Sequence, residues 1–229
     1  MDKVRICFGL FMACIYGCNE GAGGGQRDVK EFEGVITYRI AYRNKDFSSV
    51  FGDTMKVYYS KGRLARLYNG RGEKALSKEV VLMASHRCFY GKRMSDTVSV
   101  SDITKDGNFE LVNTKRTSDD TRILGQVCRR MEIDQVYKGT EKFHLYGIFL
   151  YASDVLQVDK RYFKDWNLFQ FNRFIDEAGS LYLKFELKIL DDKGMEHWAT
   201  TFTAVEIKEQ RVDSSVFYID TSVTKPMQF

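Results

Sequence analysis

Proline occurs once in 229 residues and histidine three times, and both scarcities narrow what the chain can be. A proline ring removes a ladder hydrogen bond, so a sequence nearly free of it and rich in Phe and Tyr leaves strands uninterrupted. His86, His144 and His197 stand far apart in no HxxxH, HxH or CxxC pattern, which leaves them as surface or half-buried side chains and excludes an obvious zinc site. No GxxxxGK[ST] loop is written, since Gly70-Arg71-Gly72 precedes no helix start and reads as a turn. Asp102, Asp106, Asn108 and Glu110 lack the spacing of a calcium loop. No carboxylate pair is recognisable as acid and base, and Cys88 has only His86 near it on a strand, with no third orienting group. These absences point to a binding protein without catalytic residues, metal or cofactor.

Charge of one sign is also missing. The net charge of +4 and pI of about 8.7 fall short of the clustering that nucleic acid requires, so no nucleic-acid partner is expected. Lys61, Arg63 and Arg66 are interspersed with apolar positions and read as a solvated strand face. Against this stand 44% hydrophobic and 14% aromatic residues, enough for a sizeable core, with 29% charged residues to solvate the outside.

Long hydrophobic runs are absent too. Lys3 and Arg5 precede a short apolar run, Ile6–Ile15, well below the ~20 residues of a membrane-spanning helix. Residues 1–17 read as a secretory signal. Ile15-Tyr16-Gly17-Cys18 resembles a bacterial lipobox, which would make Cys18 the lipid-bearing first residue; the alternatives are plain cleavage nearby or a free cysteine. The Gly-rich stretch Asn19–Gln26 cannot pack, so residues 18–31 form a flexible tether and residues 32–229 a single domain.

Within that domain Phe32–Arg43 alternates, with Ile36, Tyr38, Ile40 and Tyr42 on one face of a first strand. Asp53–Ser60 and Arg63–Asn69 flank Lys61-Gly62 and should pair as a hairpin. Lys78–Ala84 and Arg87–Lys92 are further short strands, and Thr97–Ile103 and Asn108–Asn113 flank Lys105-Asp106-Gly107 as a second hairpin. In Thr121–Asp134, Val127, Arg129, Met131 and Ile133 alternate with Cys128, Arg130 and Glu132, and Gly125 suggests a bulge or bend. Lys142–Tyr146 continues the meander.

Ala152–Asp176 changes period. Val155, Val158, Tyr162, Phe163, Trp166, Phe169 and Phe174 recur at three and four, which predicts helix capped by Ser153 or Asp159. Gly179–Leu190 returns to alternation and turns through Asp191–Gly194 into the closing stretch His197–Ile219. There Trp198, Phe202 and Ala204 share one face, Ala199, Thr201, Thr203, Val205 and Ile207 the other, and a turn at Asp213–Ser215 returns Phe217 and Ile219 to the sheet.

Ile123–Cys128 (ILGQVC), Gly179–Leu190, Ala204–Lys208 and Val212–Phe217 (VDSSVF) together resemble an uncharacterised periplasmic family related to the lipoprotein-carrier-like (LolA/LolB-like) superfamily. The resemblance covers residues 33–225 and implies a mainly β (α+β) fold: a curved antiparallel half-barrel sheet with helical segments covering its concave face. It further implies an apolar cleft for a lipid or acyl chain. The aromatics Tyr162, Phe163, Trp166, Phe169, Phe171 and Phe174 are the candidate lining of that cleft, with plain core packing as the alternative. Cys88 and Cys128 form either a disulfide, which would contribute ~2–4 kcal/mol, or two buried thiols. The expected protein is a lipoprotein of the cell envelope, anchored through Cys18 in the outer membrane and facing the periplasm. It would bind a hydrophobic or amphiphilic molecule unchanged or, alternatively, serve as an interaction platform for another envelope protein.

Overall fold

The structure, a computed structural model, describes residues 30–226. The expected signal segment, Cys18 and all of the tether before Lys30 lie outside the described residues. The chain runs through β1 (Gly34–Arg43), α1 (Ser48–Phe51), β2 (Thr54–Ser60), β3 (Arg63–Tyr68), β4 (Leu76–Leu82), β5 (Arg87–Lys92) and β6 (Val98–Asp102). It continues through β7 (Phe109–Ile123), β8 (Gln126–Tyr137), β9 (Phe143–Tyr151), α2 (Lys160–Phe163), α3 (Phe171–Ala178), β10 (Lys184–Asp191), β11 (Glu196–Glu209) and β12 (Thr224–Pro226).

All twelve strands form one open sheet in the order β12-β6-β5-β4-β3-β2-β1-β11-β10-β9-β8-β7. Every pairing is antiparallel except β12 with β6. The closing strand therefore lies beside the first, in the middle of the sheet. Among the described residues no helix is long and apolar enough to cross a membrane.

Local sequence explains much of this. In β1 the side chains of Ile36, Tyr38 and Ile40 are buried while those of Arg39 and Ala41 are exposed. Lys61 (φ 43°) and Gly62 (φ 72°) make the two-residue turn between β2 and β3, a geometry that demands positive φ at both positions. The turn Asp191–Gly194 likewise joins β10 to β11, closed by the Asp191 carboxylate, which accepts from the Lys193 and Met195 amides.

Other elements depart from expectation. Thr97–Ile103 and Asn108–Asn113 do not pair: β6 is taken up by β5 and β12, and β7 pairs with β8 at the opposite edge. Asp106-Gly107 closes only a local turn, in which Asp106 accepts from the Asn108 and Phe109 amides. Gly125 is no bulge within one strand. With Leu124 it is the turn between β7 and β8, so the alternation read across Thr121–Asp134 is broken and Cys128, not Val127, is buried with Met131 and Ile133. In β11 Thr37 faces Glu206 and Tyr38 faces Ala204, which extrudes Val205 as a bulge, 44% exposed. Beyond it the faces swap, and Ile207 joins Phe202 and Ala204 against the core.

The single helix expected over Ala152–Asp176 is instead α2, a 3₁₀ turn at Leu168–Gln170, and α3. Phe169 (φ 55°) and Gln170 (φ 56°) are left-handed and break the helical run. Asp159 does cap α2, accepting from the Arg161 amide.

The two faces of the sheet are covered differently. On one, Ile36, Tyr38, Met55, Tyr59 and Leu64 pack with the segment 152–183 in the main core. On the other, Ala65 and Val80 pack with Val212 and Phe217 of the strap that follows β11. Asp213 caps a 3₁₀ turn at Ser214–Phe217, which delivers Phe217 as the alternation and turn chemistry predict.

Candidate ligand-binding face

The core face has two ends, defined by strand direction. At the near end β1, β8 and β10 begin and β9 and β11 finish; at the far end the reverse holds. The segment 152–183 leaves β9 and rejoins β10 at the near end, and it fills that half. Phe163 and Phe174 are fully buried, and Trp166 and Phe171 nearly so. Phe174 stacks on Phe149 of β9 at 4.3 Å, Phe163 on Tyr59 of β2 at 6.0 Å, and Tyr182 lies 5.3 Å from Tyr38 of β1. The Tyr38 hydroxyl donates to the Tyr182 carbonyl at 2.6 Å. The middle of the segment is clasped by the β6–β7 connection: the Asn167 and Leu168 amides both donate to the Ile103 carbonyl, and the Asn167 side chain donates to that of Thr104 at 2.9 Å.

Of the aromatics named as cleft lining, Phe163, Trp166, Phe171 and Phe174 are therefore packed core. Tyr162 lies over the Gly62 turn and Phe169 lies against Phe109, both more than a third exposed. The cleft of about 560 Å³ beside Tyr218 has none of these aromatics in its walls. For these four rings the core-packing alternative has a simple cause: rings at helical spacing pack onto the face and fill it.

A charged pair sits inside this filled half. Arg66 of β3 meets Glu79 of β4, with only 14% and 8% of their side chains exposed. The Tyr68 hydroxyl donates to Glu79 at 3.1 Å, and the Arg66 guanidinium lies 5.7 Å over the Trp166 ring. Burial is the largest influence and would lower the Arg66 pKa, but the Glu79 carboxylate, together with Tyr182, Tyr68 and Cys88, outweighs it and holds the guanidinium charged. Arg66 is thus not on a solvated face. The signal was its phase, two residues from Leu64 and from Tyr68, as Glu79 is two from Val81.

Cys88 and Cys128 are buried thiols, not a disulfide. They sit on β5 and β8, with seven strands between them in the sheet order. Cys88 donates to Glu79 at 3.5 Å, and burial followed by the Glu79 charge pushes its thiol pKa up, which leaves it protonated and a poor nucleophile.

The far end of the same face is less filled. Register places Trp198 beside Ile189, Ile189 beside Leu145, and Leu145 beside Gln135 in one cross-strand row. The neighbouring row runs Tyr42, Thr200, Leu187, Gly147 and Ile133. Leu187, Ile189 and Trp198 are only half-buried although they point to the core side. Rings stand at both margins: Trp198 and Tyr42 about Phe47 on one, and Phe109, Tyr137 and Phe143 on the other. Gln135 is 2% exposed, and its Oε1 has no hydrogen-bond partner among the described residues. This arrangement offers an apolar floor and aromatic margins, with one unpartnered acceptor buried beneath them.

No family model matches the chain, and no curated protein matches it. Among solved structures it is similar to an uncharacterised conserved protein from Thermus thermophilus, with 12% identity and a TM-score of 0.39 over 85% of this chain and 91% of that one. It is also similar to PNGF-II, with 9% identity and a TM-score of 0.39, covering 85% of this chain and 32% of that chain.

Proposed function

We propose that the protein is a non-enzymatic binder of a hydrophobic or amphiphilic molecule, held at the cell envelope by a lipid on Cys18. The observation that carries this reading is the half-buried apolar row Leu187, Ile189 and Trp198 beside the unpartnered carbonyl of Gln135. The ligand's acyl chain would lie along the row, and its hydrogen-bond donor would reach the buried Gln135 carbonyl once the side chains that close over it move aside. Of the six aromatics expected to line a cleft, Phe163, Trp166, Phe171 and Phe174 would form the filled core beside the site instead of its lining.

The reading includes a sheet curled into a half-barrel with segment 152–183 on its concave side. Chain connectivity supports it. Residues 103–108 join β6 to β7, which stand ten strand spacings apart in the sheet. A flat sheet would separate them by ~48 Å at ~4.8 Å per strand, whereas the connection reaches ~25 Å at ~3.5 Å per residue. Curling brings the edges within reach, and the clasp of Ile103 on Asn167 and Leu168 is consistent with the segment lying inside the curl.

The test is titration of the purified protein with the fluorescent fatty acid cis-parinaric acid. Saturable one-to-one binding is expected, weakened about tenfold by Leu187→Ser or Ile189→Asn, each of which removes roughly a side chain's worth of apolar contact. Absence of saturable binding, or variants that bind like the parent, would overturn the reading. The anchor is checked separately by the mass of the peptide bearing Cys18 and by release of the Cys18→Ser chain from the membrane fraction.

A further inference from the structure

The turn between β7 and β8 carries a leucine where hairpins favour asparagine, aspartate or glycine. Leu124 has φ 50° and Gly125 φ 81°, the pattern of a turn with both central residues left-handed. A branched apolar side chain is strained in that region. It is also 45% exposed. Conformation and solvation both disfavour leucine at this apex, which is the kind of local cost that functional positions carry.

The surroundings extend the feature. Val127, 52% exposed, pairs across the hairpin with Arg122, whose Nη1 donates to the Gly125 carbonyl at 3.1 Å and so holds its charge at the apex. Arg129 follows on the same face and is exposed, while Ile123 and Cys128 point the other way and are buried. Asp120 is exposed farther along β7, away from the apex. The turn projects freely: a Cβ added at Gly125 would meet nothing within 4 Å.

Its place in the fold supplies the occupant. Arg129 pairs with Tyr151, the last residue of β9, so the apex lies beyond the near end of the sheet. The first described residues are at that end too, where the Phe32 amide donates to the Gln157 carbonyl at 2.8 Å. The described chain thus begins, at Lys30, on the side of the apex.

We propose that Leu124 and Val127, flanked by Arg122 and Arg129, dock the domain on an anionic lipid bilayer. The aliphatic pair enters the boundary of headgroups and acyl chains, and the guanidinium groups meet phosphate oxygens. The proposal adds a second contact to the anchored reading above and is tested with the anchor removed, so that each can fail alone.

The full chain bearing Cys18→Ser is mixed with vesicles of phosphatidylcholine, alone or with equimolar phosphatidylglycerol. Stronger sedimentation with the anionic vesicles is expected. Leu124→Asn, which suits the left-handed turn and keeps the unfolding midpoint, should weaken it on the order of tenfold by removing an inserted aliphatic group. Arg122→Gln with Arg129→Gln should abolish the preference for phosphatidylglycerol. As a local readout, brominated phospholipid should quench Leu124→Trp above the parent's own fluorescence and leave Met195→Trp, at the far-end turn, unquenched. Equal sedimentation of the parent and Leu124→Asn, or no extra quenching at position 124, would overturn the proposal. The mass of the acylated Cys18 peptide would be unaffected by that failure.

Discussion

One face of one sheet is finished in two ways. At the near end Tyr59, Phe149 and Tyr38 are covered by Phe163, Phe174 and Tyr182, ring on ring. At the far end the same alternation continues through Leu187, Ile189 and Trp198, but segment 152–183 does not reach them; Phe47 packs edge-on against Trp198, and all three stay half-buried. The strands do not differ in kind; what differs is the reach of segment 152–183. Strand alternation thus specifies which way a side chain points, whereas the element packed opposite decides whether that side chain becomes core or surface.

The largest expected break in this contrast is Phe174→Ala. A fully buried ring removed from a filled half should cost ~3–5 kcal/mol, read from the denaturant midpoint, while Leu187→Ser should cost under ~1 kcal/mol on the same measure because its site is already half-solvated. Equal losses would erase the distinction between the ends. Glu79→Ala comes next: it strands the Arg66 charge in the core and should destabilise by ~3–5 kcal/mol, with much of the loss recovered when Arg66→Met is added. Gln135→Leu should act in the opposite direction. Removing a buried acceptor with no partner is expected to raise stability by ~1–3 kcal/mol and to weaken binding of cis-parinaric acid, a combination that a purely structural glutamine would not give.

The smallest effect concerns acid. Burial works against the Glu132 charge, yet the Tyr146 hydroxyl and the Arg130 guanidinium prevail and lower its pKa. A carboxylate depressed in the folded state adds stability that is complete above the unfolded carboxylate pKa and is lost as pH falls through the depressed value. Glu132→Gln should therefore lower stability slightly at neutral pH and flatten the acid limb of stability against pH. An unaltered limb in urea melts carried down through and below the ordinary carboxylate range would refute the assignment.

Much of the scaffold was legible because half-buried strands print their environment as alternation. Ile36, Tyr38 and Ile40 in β1, and Leu183, Phe185 and Leu187 leading into β10, needed no other signal. Lys61-Gly62 was readable from turn chemistry alone. Legibility failed where long-range pairing overrode local cues. Asp106-Gly107 has the sequence of a hairpin turn, but the strands on either side find partners at opposite edges of the sheet. Residues 114–118 in β7 carry no apolar rhythm because they lie in an edge strand and are mostly exposed to solvent, where Lys115 and Arg116 guard against further pairing. The Val205 bulge is set by the register of β11 against β1 and has no local marker. For the candidate site, the aromatic segment was visible but its role was not, since periodicity cannot distinguish a roof from a filling. Gln135 was invisible: a single amide in a strand says nothing until its oxygen is seen to lack a partner.

Strand direction gives the molecule a polarity along its length. Lys30 and the Leu124 apex lie at one pole, and the half-buried Leu187, Ile189 and Trp198 at the other. A protein moored by its amino-terminal pole would hold the proposed binding row outward, across the full height of the sheet from the bilayer. Cargo would then arrive through the aqueous compartment, handed over by a soluble donor, because lateral diffusion within the mooring membrane leads to the wrong pole.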